Sequence, residues 1–173
     1  FIGFTVRPWP GFKEKAPIFA AAADYAYERY GFVPVFLPIE ARLDTDAARL
    51  VAKSIHSAPY KILPECSCSA HTIGLFARMD VVVSMRLHAL VFAAGHSVPL
   101  VGVVYDQKVS SFLDAVGQDL YTDLDALTAE GLTAQIDAAV ARIGDTALLN
   151  AGVERLRQAE HHNSECAQAL LKL

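Results

Sequence analysis

Asp80-Val81-Val82-Val83-Ser84-Met85-Arg86-Leu87-His88-Ala89-Leu90 changes its hydrophobic period halfway along. Three consecutive valines ending at Ser84 describe a strand buried on both faces, the kind found inside a parallel sheet. From Leu87 onward, Leu87, Leu90, Val91 and Ala94 fall at i, i+3, i+4 and i+7, which is the apolar stripe of a helix. Gly95 then stands where a left-handed C-terminal residue belongs. A doubly buried strand feeding a helix is the repeating unit of an α/β fold with a parallel sheet.

The same alternation extends outward from this unit. Upstream, Phe1 to Val6 reads as a strand, and Phe12 to Tyr30 as a helix ended by Gly31. Val33 to Leu37 reads as a second strand, and a helix capped by Asp44 or Thr45 runs to about His56. Tyr60 to Leu63 reads as a short strand and Ser69 to Ala77 as a short helix. Downstream come a strand at Val98 to Val104, a helix from near Lys108, and a short strand at Leu120 and Tyr121. Two helices, near Thr128 to Ile143 and Thr146 to Leu171, finish the chain. No fixed-period repeat or Gly/Ser-rich linker divides it. The expectation is a single Rossmann-like domain over residues 1–173, a parallel sheet flanked by helices.

With 173 residues, 53% hydrophobic and 20% charged, the chain has a globular composition. Fifteen Lys and Arg against nineteen Asp and Glu give a net charge of −4, which argues against nucleic acid as a partner. No apolar run approaches the ~20 residues that span a bilayer. Residues 1–6 are apolar, but Arg7, Pro8 and Pro10 cut them off and no basic leader precedes them, so they do not read as a signal peptide. The chain opens directly on a strand without an initiator Met, and a fragment continuing from an upstream segment is expected. Three cysteines, Cys66, Cys68 and Cys166, do not describe a disulfide framework, which points to a reducing, cytoplasmic setting. Cys66, Cys68 and His71 lack the second ligand pair that a structural zinc needs, so no metal is expected.

Ligands of open parallel sheets bind beyond the carboxyl ends of the strands. By that rule Arg7 follows the first strand, Glu40 the second, Ser84 to His88 the valine strand, and Tyr105 to Lys108 the next. Ser84-Met85-Arg86-Leu87-His88 carries most information, because it places a permanent cation and an imidazole in the first turn of a helix. Free N–H groups and the helix dipole favour an anion there, and a guanidinium fork matches carboxylate or phosphate oxygens. An imidazole is suited to exchanging protons near neutral pH. Arg7 and Lys108 are further cations at strand ends, Glu40 and Asp44 are candidates for sugar hydroxyls or a base, and Trp9 is a candidate stacking platform for a sugar. The bland alternatives are a loop-bound Arg86, a satisfied His88, an Asp44 that merely caps a helix, and a Trp9 that covers a core edge. Neither a Gly-x-Ser-x-Gly elbow around Ser84 nor a Gly-x-Gly-x-x-Gly fingerprint is present.

Met79 to Phe112 resembles the polysaccharide pyruvyltransferase family, in which a strand runs into Met-Arg-Leu-His-x-Leu, followed by a Pro-led strand and Tyr-Asp-x-Lys-Val. Here these are Ser84 to Leu90, Pro99 to Val104 and Tyr105 to Val109, with weaker echoes at Val6-Arg7-Pro8 and Phe36-Leu37-Pro38. That family often carries Gln where Glu40 stands. The resemblance implies the carboxyl-terminal half of a GT-B-like enzyme of two Rossmann-like halves. It implies phosphoenolpyruvate as donor of a pyruvyl group, which joins two hydroxyls of a cell-wall or exopolysaccharide sugar as a ketal, with no cofactor. By the same pattern Arg86 would hold the donor's carboxylate or phosphate and His88 would act as general acid/base. Arg7, Glu40, Ser84, Tyr105 and Lys108 would contact substrate. Implied partners are the donor, a sugar acceptor that a lipid carrier can hold at the inner membrane face, and the amino-terminal half of the enzyme, without which the chain is expected to be inactive. A nucleotide-sugar glycosyltransferase or epimerase domain, or a non-catalytic binding or assembly module, remain the other readings.

Overall fold

The computed structural model describes residues 1–64, 66, 68–145 and 147–171. The elements run β1 (Ile2–Thr5), α1 (Phe12–Tyr30), β2 (Pro34–Phe36), α2 (Ala41–Ala52), β3 (Lys61–Ile62), α3 (Ser69–Phe76) and β4 (Val81–Ser84). They continue α4 (Leu87–Ala94), β5 (Leu100–Val104), α5 (Gln107–Ala115), β6 (Tyr121–Asp123), α6 (Ala129–Ala141) and α7 (Ala147–Leu170). Thr146, where the sequence suggests that the last helix begins, lies outside the described residues.

The strands form one six-stranded sheet in the order β3-β2-β1-β4-β5-β6, with every pairing parallel. The expected α/β, Rossmann-like architecture is therefore present. The strand order reverses between β1 and β4, whose register sets Thr5 opposite Ser84. That reversal is the crevice where ligands of such sheets bind.

The valine run shows why this sheet forms. Val81 and Val83 join Ile2, Phe4, Phe19 and Ile136 on the face covered by α1 and α6. Val82 joins Leu90, Leu100 and Leu113 on the face covered by α4 and α5. Successive side chains of a strand point to opposite faces, so a strand that feeds two cores must be apolar throughout. Helix α1 ends as expected at Gly31, whose φ of 71° lets its N–H reach the Tyr27 carbonyl at 2.8 Å.

Four local expectations are corrected. Helix α2 begins at Ala41, with Glu40 as N-cap, so neither Asp44 nor Thr45 caps it from outside. Asp44 lies within the first turn, and one of its oxygens reaches back to the N–H groups of Ile39 (3.0 Å) and Glu40 (2.9 Å). It thus satisfies donors at the helix start from inside the turn. Gly95 is right-handed, with φ −61°, and the left-handed residue is Ser97, with φ 59°. The buried stripe of α4 is Ala89, Leu90, Ala93 and Ala94, while Val91 is 40% exposed. Leu90 and Ala94 are buried as expected, while Ala89 and Ala93 take the buried positions expected of Leu87 and Val91. Val98 and Pro99 precede β5 rather than belonging to it, because the Val98 N–H closes the turn on the Ala93 carbonyl at 3.0 Å.

Helix α7 joins the body through its first part, with Leu149 and Gly152 buried, Val153 packed against the core and Arg155 Nη2 donating to the Ala115 carbonyl at 3.4 Å. A Cβ on Gly152 would lie 2.2 Å from the Val116 carbonyl oxygen, so backbone meets backbone there. From Glu154 to Leu170 its side chains are exposed. Among the described residues no helix is long and apolar enough to cross a membrane.

Candidate functional site

All the strands run the same way, so the loops after β1, β2, β4 and β5 emerge at one edge of the sheet. At the centre of that edge the chain leaves β4 through Ser84. Its fully buried hydroxyl donates to the Arg86 carbonyl and accepts from the Arg86 N–H, both at 2.9 Å. Ser84 thereby shapes the turn instead of facing solvent. Arg86 is the N-cap of α4, with extended φ −86° and ψ 122°, and not part of its first turn. This conformation sends its side chain toward α2 and away from the helix axis.

There Arg86 meets two carboxylates. Its Nε donates to both oxygens of Asp44 at 3.1 Å, and its Nη2 binds Asp44 and also Glu40, the latter at 2.9 Å. Asp44 is 1% exposed and the Arg86 side chain 12%, whereas Glu40 is 54% exposed. Burial works against the guanidinium charge. The hydrogen bonds and charge of Asp44, with those of Glu40, outweigh it and hold the Arg86 pKa above its ordinary value. Nη1 makes no hydrogen bond among the described residues. His88 is exposed in the first turn of α4, its ring centroid 6.3 Å from that of Phe92. No side chain caps this helix, which leaves first-turn N–H groups free for a ligand.

The loops after β1 and β5 build a second group. Arg7 Nη1 donates to the Tyr105 hydroxyl at 2.8 Å, and its guanidinium lies over both the Tyr105 ring (4.8 Å) and the Trp9 ring (5.2 Å). The two rings pack with centroids 4.6 Å apart. Lys108 Nζ lies 5.6 Å from the Tyr105 ring and 3.5 Å from Asp106, which caps α5 by accepting the Lys108 N–H. That backbone hydrogen bond, aided by the charges of Lys108 and Arg7, holds the Asp106 carboxyl below its ordinary range. Arg7 Nε is buried and makes no hydrogen bond among the described residues. Beside this group opens a cleft of about 480 Å³, lined among others by Trp9, Asp106, Ser110, Asp123 and Asp125. Arg86 and His88 are not among its lining residues.

The seven residues singled out at strand ends thus fall into two groups along one edge. Arg86, Glu40, Ser84 and His88 surround the start of α4, and Arg7, Tyr105 and Lys108 lie together beside β5. Sequence reasoning missed the pairing of Asp44 with Arg86, the packing of Trp9 on Tyr105, and Asp123 with Asp125. The strand-end rule would have reached the last two had the final strand been drawn through to Asp123.

The profile of the polysaccharide pyruvyl transferase family matches residues 1–107. The chain belongs to this family. The matched segment contains Arg7, Glu40, Ser84, Arg86, His88 and Tyr105, while Lys108 and the carboxylates after β6 lie beyond it. A search of curated proteins finds no match. Among solved structures, the crystal structure of the glycotransferase of kitacinnamycin is similar over 91% of this chain, with a TM-score of 0.62 and 12% identity. The chain spans 39% of that glycotransferase, and the likeness is one of fold.

Proposed function

We propose that this chain carries the donor side of an enzyme that transfers a pyruvyl group from phosphoenolpyruvate to a sugar of a cell-wall or exopolysaccharide precursor. The observation that carries the reading is Arg86 and His88 at the uncapped start of α4, at the strand-order reversal and within the segment matched by the family. The donor is a small polyanion, and an uncapped helix start beside arginines suits one. In this reading Arg86 donates through its open Nη1, and the half-exposed Glu40 yields to the donor's carboxylate while Asp44 keeps the guanidinium in place. Arg7 and Lys108 neutralise further charge, and Ser84 and Tyr105 hold Arg86 and Arg7 in position.

The chemistry needs no redox partner. The enol methylene gains a proton and becomes a methyl group. Two acceptor hydroxyls form C–O bonds to the central carbon, and its bond to the phosphate oxygen breaks. Of the two hydroxyl protons, one replaces that delivered to the methylene and one leaves with phosphate. His88 is the residue proposed to move the proton. The remainder of the enzyme, including its other half, completes the acceptor side, so the 173-residue chain alone is proposed to be inactive.

In the enzyme that contains this chain, His88→Ala should lower turnover by about a hundredfold or more while donor binding persists. Phosphorus NMR titration with phosphoenolpyruvate and with a uridine diphosphate sugar measures the donor preference. Preferential nucleotide binding, or unchanged turnover in a folded His88→Ala enzyme, would overturn the proposal.

A further inference from the structure

The cleft beside β5 and β6 differs in kind from the start of α4. Its wall carries three carboxylates, Asp106, Asp123 and Asp125, of which, among the described residues, Asp106 alone is paired with a cation, Lys108. The carboxylates of Asp123 and Asp125 are exposed and make no hydrogen bond among the described residues. A polyanion would be repelled by such a wall. Among the described residues no group of three His, Cys, Asp or Glu side chains is placed to hold a metal ion.

Trp9, 39% exposed and packed on the Tyr105 ring, lines the same cleft. Its loop is tied down by the Phe12 N–H on the Trp9 carbonyl at 3.0 Å. The floor is set by the Leu124 N–H on the Val104 carbonyl, and Lys15 Nζ holds the Asp125 and Leu127 carbonyls at 2.8 and 3.0 Å. An aromatic face offers its surface to C–H groups, and free carboxylate oxygens accept from hydroxyls. A volume of about 480 Å³ is that of a small-ligand site.

We propose that this cleft binds an uncharged sugar ring, with Trp9 against the ring face and Asp123 and Asp125 accepting from its hydroxyls. Resting on the function proposed above, the ring is that of the acceptor. Part of acceptor recognition then belongs to this chain rather than to the other half proposed above.

Trp9 is the sole tryptophan, so its emission reports on the cleft directly. The 173-residue chain is titrated with the methyl glycosides of galactose, glucose and mannose. At least one should give a saturable change, unaffected by phosphate or phosphoenolpyruvate. The double variant Asp123→Ala/Asp125→Ala should bind it about tenfold or more weakly, with its melting temperature unchanged. No saturable response to any of the glycosides, competition by phosphoenolpyruvate, or wild-type affinity in the double variant would each overturn the inference. Saturable sugar binding by a chain that prefers a uridine diphosphate sugar to phosphoenolpyruvate would instead sink the proposed donor and leave the cleft standing.

Discussion

Arg86 and Asp44 stand 42 residues apart, and neither is stable in its place without the other. A carboxylate at 1% exposure has lost its water, and the guanidinium with two backbone N–H groups replaces it. Removing Asp44 strands a mostly buried cation and frees two donors. Asp44→Ala should therefore cost about 3–5 kcal/mol in urea unfolding. Glu40→Gln, at a half-exposed site, should stay within about 1 kcal/mol. Equal midpoints for the two variants would refute this division. From the sequence, Arg86 was legible as a cation at a strand end, and Asp44 as a residue at a helix start. Their pairing was not, because a helix cap and an ion-pair partner need the same side chain, and local spacing does not separate them.

Among the elements, α1 is held to the segment after α2 by another buried carboxylate. Asp24 accepts the N–H groups of His56, Ser57 and Ala58 at 2.8–2.9 Å, and the Ser57 hydroxyl at 3.0 Å. Burial raises its pKa, but these hydrogen bonds together outweigh burial and leave the carboxyl below its ordinary range. A carboxyl depressed in the folded state adds stability in full above its unfolded pKa. That stability fades as pH falls from the ordinary carboxylate range through the lowered folded value. The melting temperature should accordingly drop over that acid window, and Asp24→Asn should flatten the drop while lowering the plateau above it. Parallel curves for the two proteins would show that Asp24 is not responsible. Helix boundaries were legible where a glycine must be left-handed, as at Gly31. At Gly95 the boundary was legible too, since α4 ends at Ala94, but the left-handed residue is Ser97, in the turn that the Val98 N–H closes on the Ala93 carbonyl. The stripe of α4 was legible in Leu90 and Ala94 but not in Ala89 and Ala93, because periodicity weighs bulk and passes over alanine.

For the molecule as a whole, β4 ties the two cores together, since Val81 and Val83 belong to one and Val82 to the other. Neither face can come apart while the strand stays paired. Urea transitions followed by Trp9 emission and by far-ultraviolet circular dichroism should therefore coincide. Separated midpoints would mean that the two faces unfold independently. Helix α7 beyond Glu154 stands outside this unit and should exchange its amide hydrogens ahead of Leu149 and Gly152.

The sequence by itself determined the class of fold, the order of strands and helices, and the family, because hydrophobic period and the Met-Arg-Leu-His motif are local properties of the chain. It also placed Arg7, Arg86, His88 and Lys108 at the carboxyl edge of the strands, since in a parallel sheet chain direction alone sets that edge. Only the tertiary structure decided that Arg86 is held by Asp44 and Glu40, that Arg7, Trp9 and Tyr105 pack as one group, and that Asp123 and Asp125 line one cleft with Trp9 and Tyr105. Those relations join residues from different loops, and what brings them together is the strand order of the sheet, in which β1 lies between β2 and β4.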